Sequence, residues 1–359
     1  MDLPDLGWDS FFEERFRQYR DAGLSPARIA REDRETYLLF SEAGELPARV
    51  SGRFLYEAHS KDAFPGVGDW VAAREIAEEQ KATIHAVLPR KSCFVRETPG
   101  GRTEAQVVAA NVDTVFIVSG LDGGRAFNLR RMERYLALTW ESGATPVVVL
   151  NKVDVCPDVD ACVNEAEAIA FGVPVCPVSA TERIGLGLLR AHLPQGRTGA
   201  LLGSSGVGKS ALVNALLGAE RQATGAVRED DLRGRHTTVR REMILLPGGG
   251  IIIDTPGMRE LRLWGDEDSV DHTFSDIEEL AVQCRFRDCR HEGEPGCAVQ
   301  AAINENALDA GRLDSYHRLQ REMAHLARRR DQRAQLAEKA KWKQISQWSR
   351  RLYKNRDKP

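Results

Sequence analysis

The sequence predicts a multidomain α/β chain: an OB-type β-barrel near the N-terminus, a parallel-sheet P-loop domain, and a C-terminal α-helical domain that holds a metal. Three observations carry this. Short β-rich runs follow one another between residues 36 and 96. A glycine-rich loop, Gly203-Ser204-Ser205-Gly206-Val207-Gly208-Lys209-Ser210, lies between an apolar run and a helical one. Three cysteines and a histidine then cluster at Cys284, Cys289, His291 and Cys297.

The opening stretch reads as a helix from about Ser10 to Arg34, forming an extension over residues 1–35. Strand-like runs follow at Thr36–Phe40, Ala48–Leu55, Asp69–Ala73, Thr83–Leu88 and Cys93–Arg96. Turn signals separate them at Gly44, Pro65-Gly66 and Pro89. Five short strands in this space predict a small antiparallel barrel of OB type over 36–98. The strand count alone equally fits a small barrel with no nucleic-acid role. Pro99-Gly100-Gly101-Arg102 reads as the linker into the next domain, 104–272.

In that domain Ala200-Leu201-Leu202 reads as a buried strand, and the helix after the loop begins around Ala211. The glycines let backbone N–H groups from Gly203 to Ala211 converge on phosphate oxygens without side-chain clashes. Lys209 reaches for the β- and γ-phosphates, and the Ser210 hydroxyl is a magnesium ligand.

Base choice rests on Asn151-Lys152-Val153-Asp154, which follows the β-branched run Pro146–Leu150. A carboxylate at Asp154 accepts from both N1–H and the exocyclic amine of guanine; adenine lacks that donor pair and is rejected. Asn151 is placed to tie loops together, and the Lys152 stem to cover the ring. Ser179-Ala180 offers backbone N–H to guanine O6. Asp254-Thr255-Pro256-Gly257 ends the run Ile251–Ile253, so Asp254 faces magnesium and Gly257 offers an N–H to the γ-phosphate. Thr237 and Thr238 lie in a charged stretch, Arg228 to Arg241, that reads as a switch loop; Thr238 is the expected third magnesium ligand.

The order of these segments is permuted. The base-reading loops precede the phosphate loop, so the domain is a circularly permuted P-loop GTPase whose chain exits just after the γ-phosphate sensor. Met258 stands where many GTPases carry a water-orienting glutamine. A thioether cannot orient water, which makes His236 the nearby catalytic candidate, with a solvated loop histidine as the plain alternative.

Cys284, Cys289, His291 and Cys297 have the spacing of a tetrahedral Cys₃His zinc site, with Glu294-Pro295-Gly296 turning the chain before the last ligand. Three cysteines would leave one unpaired as disulfides, and all four ligand positions are filled by protein, so the zinc is structural. This domain spans 273–320.

The N-terminus is acidic with no apolar core segment, and no apolar stretch approaches the roughly twenty residues of a membrane span. A cytoplasmic, monomeric protein is expected. The net charge of −3 hides an asymmetry: residues 328–359 carry twelve Lys/Arg against three Asp/Glu. That basic helical tail, 321–359, with Trp342, Trp348 and Tyr353 interleaved, suits RNA phosphates and base stacking. A solvated face would show the same charge run.

Taken together, the permuted motif order, His236-Thr237-Thr238 and the cysteine segment 284–299 resemble the ribosome small subunit-dependent GTPase A (RsgA/YjeQ) family over roughly residues 36–320. Gly66–Val71 and Ala109–Val118 resemble it too. The resemblance implies a cytoplasmic factor acting late in maturation of the small (30S) ribosomal subunit, contacting its rRNA, with GTP hydrolysis stimulated by that subunit. It also implies that a hydrophobic residue replaces glutamine at Met258. A GTP-regulated RNA-modification or translation factor, or a GTP-dependent RNA-binding scaffold, remains the alternative. The intact Lys209, Ser210, Asp254 and Asp154 speak against a degenerate scaffold.

Overall fold

The computed structural model describes residues 1–33, 36–58, 60–97, 105–123, 126–219, 241–254, 268–325 and 328. It divides into two compact units, residues 1–262 with 272–275, and residues 263–271 with 276–359.

In the first unit, α1 (Ser10–Arg20) is N-capped by the Asp9 carboxylate, which accepts from Phe11 N–H, and buries Phe12 and Phe16 one turn apart. Trp8 and Trp70 pack against this pair. The helix stops well short of the expected Arg34. Residues Ser25–Asp33 form a strand, β1, with Ala27, Arg28, Ile29 and Ala30 all buried. Pro26 favours extended backbone before it, and β1 has partners on both sides, so tertiary pairing overrides a helix-like charge pattern.

The barrel is built from β1, β2 (Thr36–Ser41), β3 (Gly44–Val50), β4 (Trp70–Ile76) and β5 (Lys81–Val87). Its order is β1-β2-β3-β5-β4, closing back onto β1; β3–β5 is parallel and the other pairs antiparallel. This is the OB-type barrel expected, with three corrections. It begins at residue 25 and not 36. The run Ala48–Leu55 is not one strand: Ser51 accepts from Phe54 N–H and starts α2 (Gly52–Glu57). Cys93–Arg96 belongs to β6 (Cys93–Glu97), which pairs with β7 (Ala105–Ala110) in a separate two-stranded sheet. The expected linker Pro99–Arg102 lies outside the described residues, but the strands on either side pair antiparallel.

The second sheet of this unit contains β8 (Thr114–Gly120), β9 (Thr145–Asn151), β10 (Val175–Val178), β11 (Thr198–Leu202), β12 (Arg241–Leu245) and β13 (Ile251–Asp254). Its order is β10-β9-β8-β11-β13-β12, parallel except for β12. The connecting helices are α3 (Leu129–Ser142), α4 (Val159–Glu167), α5 (Leu186–Ala191) and α6 (Lys209–Leu217). Phe116, Val149, Val178, Leu212, Val213 and Ile252 fill the core. β12 also pairs with barrel strand β1, so barrel and nucleotide sheet form one continuous ladder.

The segments Gly66–Val71 and Ala109–Val118 meet at the joint. Ala110 N–H donates to Val67 O at 2.9 Å, and Asn111 Nδ2 to Gly68 O at 3.1 Å. A Cβ on Gly68 would stand 2.1 Å from Ala110 O at φ +93°, so only glycine fits. Arg28, 2% exposed, donates to the carbonyls of Leu6, Gly68 and Asn111 and so joins the N-terminal segment, the turn before β4 and the connection between β7 and β8.

The second unit contains most of α8 (Ser275–Ala281), which follows α7 (Asp268–Thr273), and all of α9 (Ala298–Asn304). A further helix, α10, covers 310–325 and crosses the expected domain boundary at 320/321 without a break. Arg312 grips Asp276 with two bonds of 2.6 and 2.7 Å, and Tyr316 O–H donates to Glu278 at 2.6 Å, clamping α10 to α8. Beyond Arg328 the basic tail lies outside the described residues. Among the described residues no helix is long and apolar enough to cross a membrane.

Candidate functional site

Parallel β8, β9, β10, β11 and β13 end at one edge of the sheet. β11 runs into Gly203, and α6 begins at Lys209 with Gly208 as its left-handed N-cap. Ser205 and Gly206 are exposed at the loop's mouth, while Val207 is fully buried beneath it. Lys209 Nζ donates to Gly203 O at 2.8 Å and to Ser204 O at 2.7 Å, holding the ammonium across the loop's entry. Ser210 and Ala211 form the first turn of α6, half-buried.

Asn151 is the knot of the site. It is 2% exposed at the end of β9, donates from Nδ2 to Val207 O at 2.8 Å and accepts at Oδ1 from Ala180 N–H at 3.1 Å. One side chain thus ties the phosphate loop to the Ser179-Ala180 loop. The fit is close: a Cβ on Gly208 would come 2.2 Å from Asn151 Nδ2.

Lys152 follows in the left-handed region at φ +70°, and Asp154 lies exposed on the 3₁₀ turn Val153–Val155. Sequence reasoning missed Asp122, which forms an ion pair with the Lys152 ammonium. The signal was there, since β8 ends at Gly120 on the same sheet edge. Ser179 N–H donates to Ile184 O at 3.0 Å. Guanine O6 would therefore compete with Asn151 for the Ala180 N–H. Asp254 ends β13, beside β11. His236, Thr237, Thr238, Gly257 and Met258 lie outside the described residues.

In the second unit, ligand atoms of Cys284, Cys289, His291 and Cys297 all lie within 4.8 Å of one another. Cys284 Sγ is 3.9 Å from Cys297 Sγ, and His291 Nδ1 is 3.7 and 3.4 Å from those two sulfurs. Tetrahedral zinc requires S···S of about 3.8 Å and S···N of about 3.6 Å, so the donor set fits. Burial works to raise the Cys284 pKa, yet hydrogen bonds from Ala298 and Val299 N–H and from the Cys289 and Cys297 thiols together hold it below its ordinary range. Burial and then His317 lower His291, favouring the neutral imidazole a metal needs. His291 sits at φ +62°, its carbonyl accepting from Gln300 Nε2 at 2.6 Å. Glu294 accepts from Arg290 and Glu292 N–H, both at 2.8 Å, and shapes the turn.

A parallel sheet that gathers a phosphate loop and earlier base-side loops at one edge, in rotated chain order, defines a circularly permuted P-loop GTPase. A family model described as RsgA GTPase matches residues 87–264. The small ribosomal subunit biogenesis GTPase RsgA of Opitutus terrae is 48% identical over 98% of this chain and 97% of its own length. Its namesake in Syntrophotalea carbinolica is 43% identical over 98% of each. The chain belongs to the RsgA GTPase family and is a GTP hydrolase. Among solved structures, YjeQ from Thermotoga maritima aligns with a TM-score of 0.63 at 25% identity, covering 84% of this chain and 99% of that one. YloQ, described as a circularly permuted GTPase, aligns at 0.60 with 23% identity, a likeness of fold. An ABC transporter model also matches residues 186–352; that stretch contains the phosphate loop but not Asn151–Asp154.

Proposed function

We propose that this protein binds the small (30S) ribosomal subunit in the cytoplasm, assists its late maturation, and hydrolyses GTP to GDP and phosphate faster when bound. The observation that carries the reading is identity over nearly the whole chain, barrel and cysteine segment included, to relatives named for biogenesis of that subunit.

In this reading Asp154 accepts from guanine N1–H and its amine, and Lys152 covers the ring. Asn151 holds the two loops, and Ser179-Ala180 meets O6 once Ala180 N–H leaves Asn151. Backbone N–H groups along Gly203–Ala211 cradle the phosphates, Lys209 neutralises them, and Gly257 N–H senses the γ-phosphate. Ser210, Asp254 and Thr238 would hold Mg²⁺, which offsets charge between the phosphates. Cys284, Cys289, His291 and Cys297 would hold one structural zinc.

Met258 leaves the attacking water unoriented, so the protein alone turns over slowly. His236, or the rRNA, completes the site on the subunit, a contribution of about a thousandfold in rate, or several kcal/mol. GTP turnover measured with free small subunits, large subunits and tRNA tests this. Stimulation by small subunits alone is expected, and His236→Ala abolishes most of it with GDP affinity kept. Equal turnover in buffer and with small subunits ends the ribosomal reading. Stimulation by tRNA moves the protein to another RNA. Full stimulation of His236→Ala assigns the missing group to the rRNA.

A further inference from the structure

Barrel strand β1 serves two sheets. Its first half, Ser25–Arg28, pairs with β4. Past an irregularity between Ile29 and Arg31 it turns to β12, with Arg31 opposite Glu242 and Glu32 opposite Arg241. On its other side β12 pairs with β13, and Glu242 stands opposite Asp254. The parallel pairing of β13 with β11 ends one residue earlier, at Ile253. A single cross-strand row, Arg31–Glu242–Asp254, therefore runs from the barrel to the carboxylate at the phosphate edge. The backbone at Asp254 takes its register from β12, and β12 takes its own from the barrel on one side.

The adjacent row carries an ion pair. Arg241 Nη1 lies 3.4 Å from Glu32 Oε2 and donates to Val107 O at 3.3 Å; the two charged side chains are only 12% and 20% exposed. Burial, then the charge of Arg96, lowers the Arg241 pKa against the pull of Glu32. Burial raises Glu32 against the opposing pull of Arg241 and Arg96. Removing Glu32 takes away the ion-pair partner of half-buried Arg241, so the pair favours the register in which these two residues of β1 and β12 face each other.

We infer that Glu32 and Arg241 form a positioning pair for GTP hydrolysis, locking β12 to the barrel so that displacement of the barrel reaches the backbone at Asp254. The coupling is internal to the first unit and holds whatever partner the barrel engages, so it goes beyond the ribosomal reading. Neither side chain touches nucleotide; both act through strand register. Because the link is reciprocal, nucleotide state must in turn be felt in β1.

The test compares the full chain with Arg241→Met, Glu32→Gln and the conservative Arg241→Lys. Amide exchange over residues 25–33 is read with GDP and with a non-hydrolysable GTP analogue, and kcat and KM are read for GTP. Wild type is expected to show at least a twofold nucleotide-dependent difference in exchange across β1. Arg241→Met and Glu32→Gln should lose that difference and about tenfold in kcat, with KM and GDP affinity within twofold. Arg241→Lys should retain at least half of kcat. No nucleotide-dependent difference in wild type overturns the coupling. So does a full difference with normal kcat in both uncharged variants. If both variants lose GDP affinity, kcat and thermal stability together and Arg241→Lys fails to rescue, the pair is structural only and the inference falls. The ribosomal reading stands or falls separately, on stimulation by subunits.

Discussion

The nucleotide edge of the first unit and the metal cluster of the second are opposite ways to build a site. The first gathers Asn151, Ala180, the phosphate loop and Asp254 from four strand ends spread over a hundred residues of chain, and sheet register sets their spacing. The second brings four ligands together within residues 284–297, shaped by tight turns and by N–H groups bonding to sulfur. A local site depends on its ion for stability, because fourteen residues bury little. A site built by register depends on its sheet, and single side chains tune it without destroying it. Losses should therefore be total and confined at the metal, graded at the nucleotide.

The largest effect is expected from Cys289→Ala. Zinc binding in small domains contributes on the order of 10–16 kcal/mol to folding, so losing one ligand should release the metal and unfold the segment near 270–300. GDP affinity should persist, since every described nucleotide-side residue lies in the other unit. Metal analysis and limited proteolysis check both halves; protein purified without chelator and free of zinc would refute the site itself. Next in size is Lys209→Ala, which removes a charge from the phosphates and should weaken GTP binding by about 3 kcal/mol, with turnover falling alongside. Calorimetric titration reads it, and undiminished affinity would displace the lysine from its role.

Asp154→Asn should cost about 1.5–3 kcal/mol in GDP binding and shift preference toward xanthine nucleotides, whose exocyclic oxygen suits an amide donor. Equal wild-type affinity for ATP and GTP would sink that assignment. The smallest change is Asn151→Ala, which strands Val207 O and unties the phosphate loop from the neighbouring strand ends, and should cost about 1–2 kcal/mol in GDP affinity with the fold retained. If it instead unfolds the first unit, the nucleotide edge is as brittle as the metal cluster and the contrast fails.

What could be read from sequence follows the same division. The phosphate loop, Asn151–Asp154 and the Cys₃His segment each carry their chemistry in consecutive residues, so spacing alone announces them. β1 could not be read. Arg28-Ile29-Ala30-Arg31-Glu32 has the charge spacing of a helix surface, and Arg28 is buried only because the carbonyls of Leu6, Gly68 and Asn111 converge on it from far along the chain. The β6–β7 hairpin was hidden likewise: Pro99-Gly100-Gly101 signals a break equally well between strands or between domains. The pairing of β12 with β1 leaves no local trace at all, since register across about two hundred residues is decided by packing.

The rotated chain order has a consequence for how the protein is made. During synthesis β8, β9 and β10 emerge first, carrying the guanine-side loops, while the flank of β8 waits for β11 to arrive about eighty residues later. Until then the growing chain shows an unpaired, fully buried-type strand edge, the kind that invites mispairing. Asp254 comes last of the described nucleotide-side residues. A ribosome translating this chain therefore holds a strand with one open edge through much of the domain's birth, and ligand can lend its stability only when the final strand has left the tunnel.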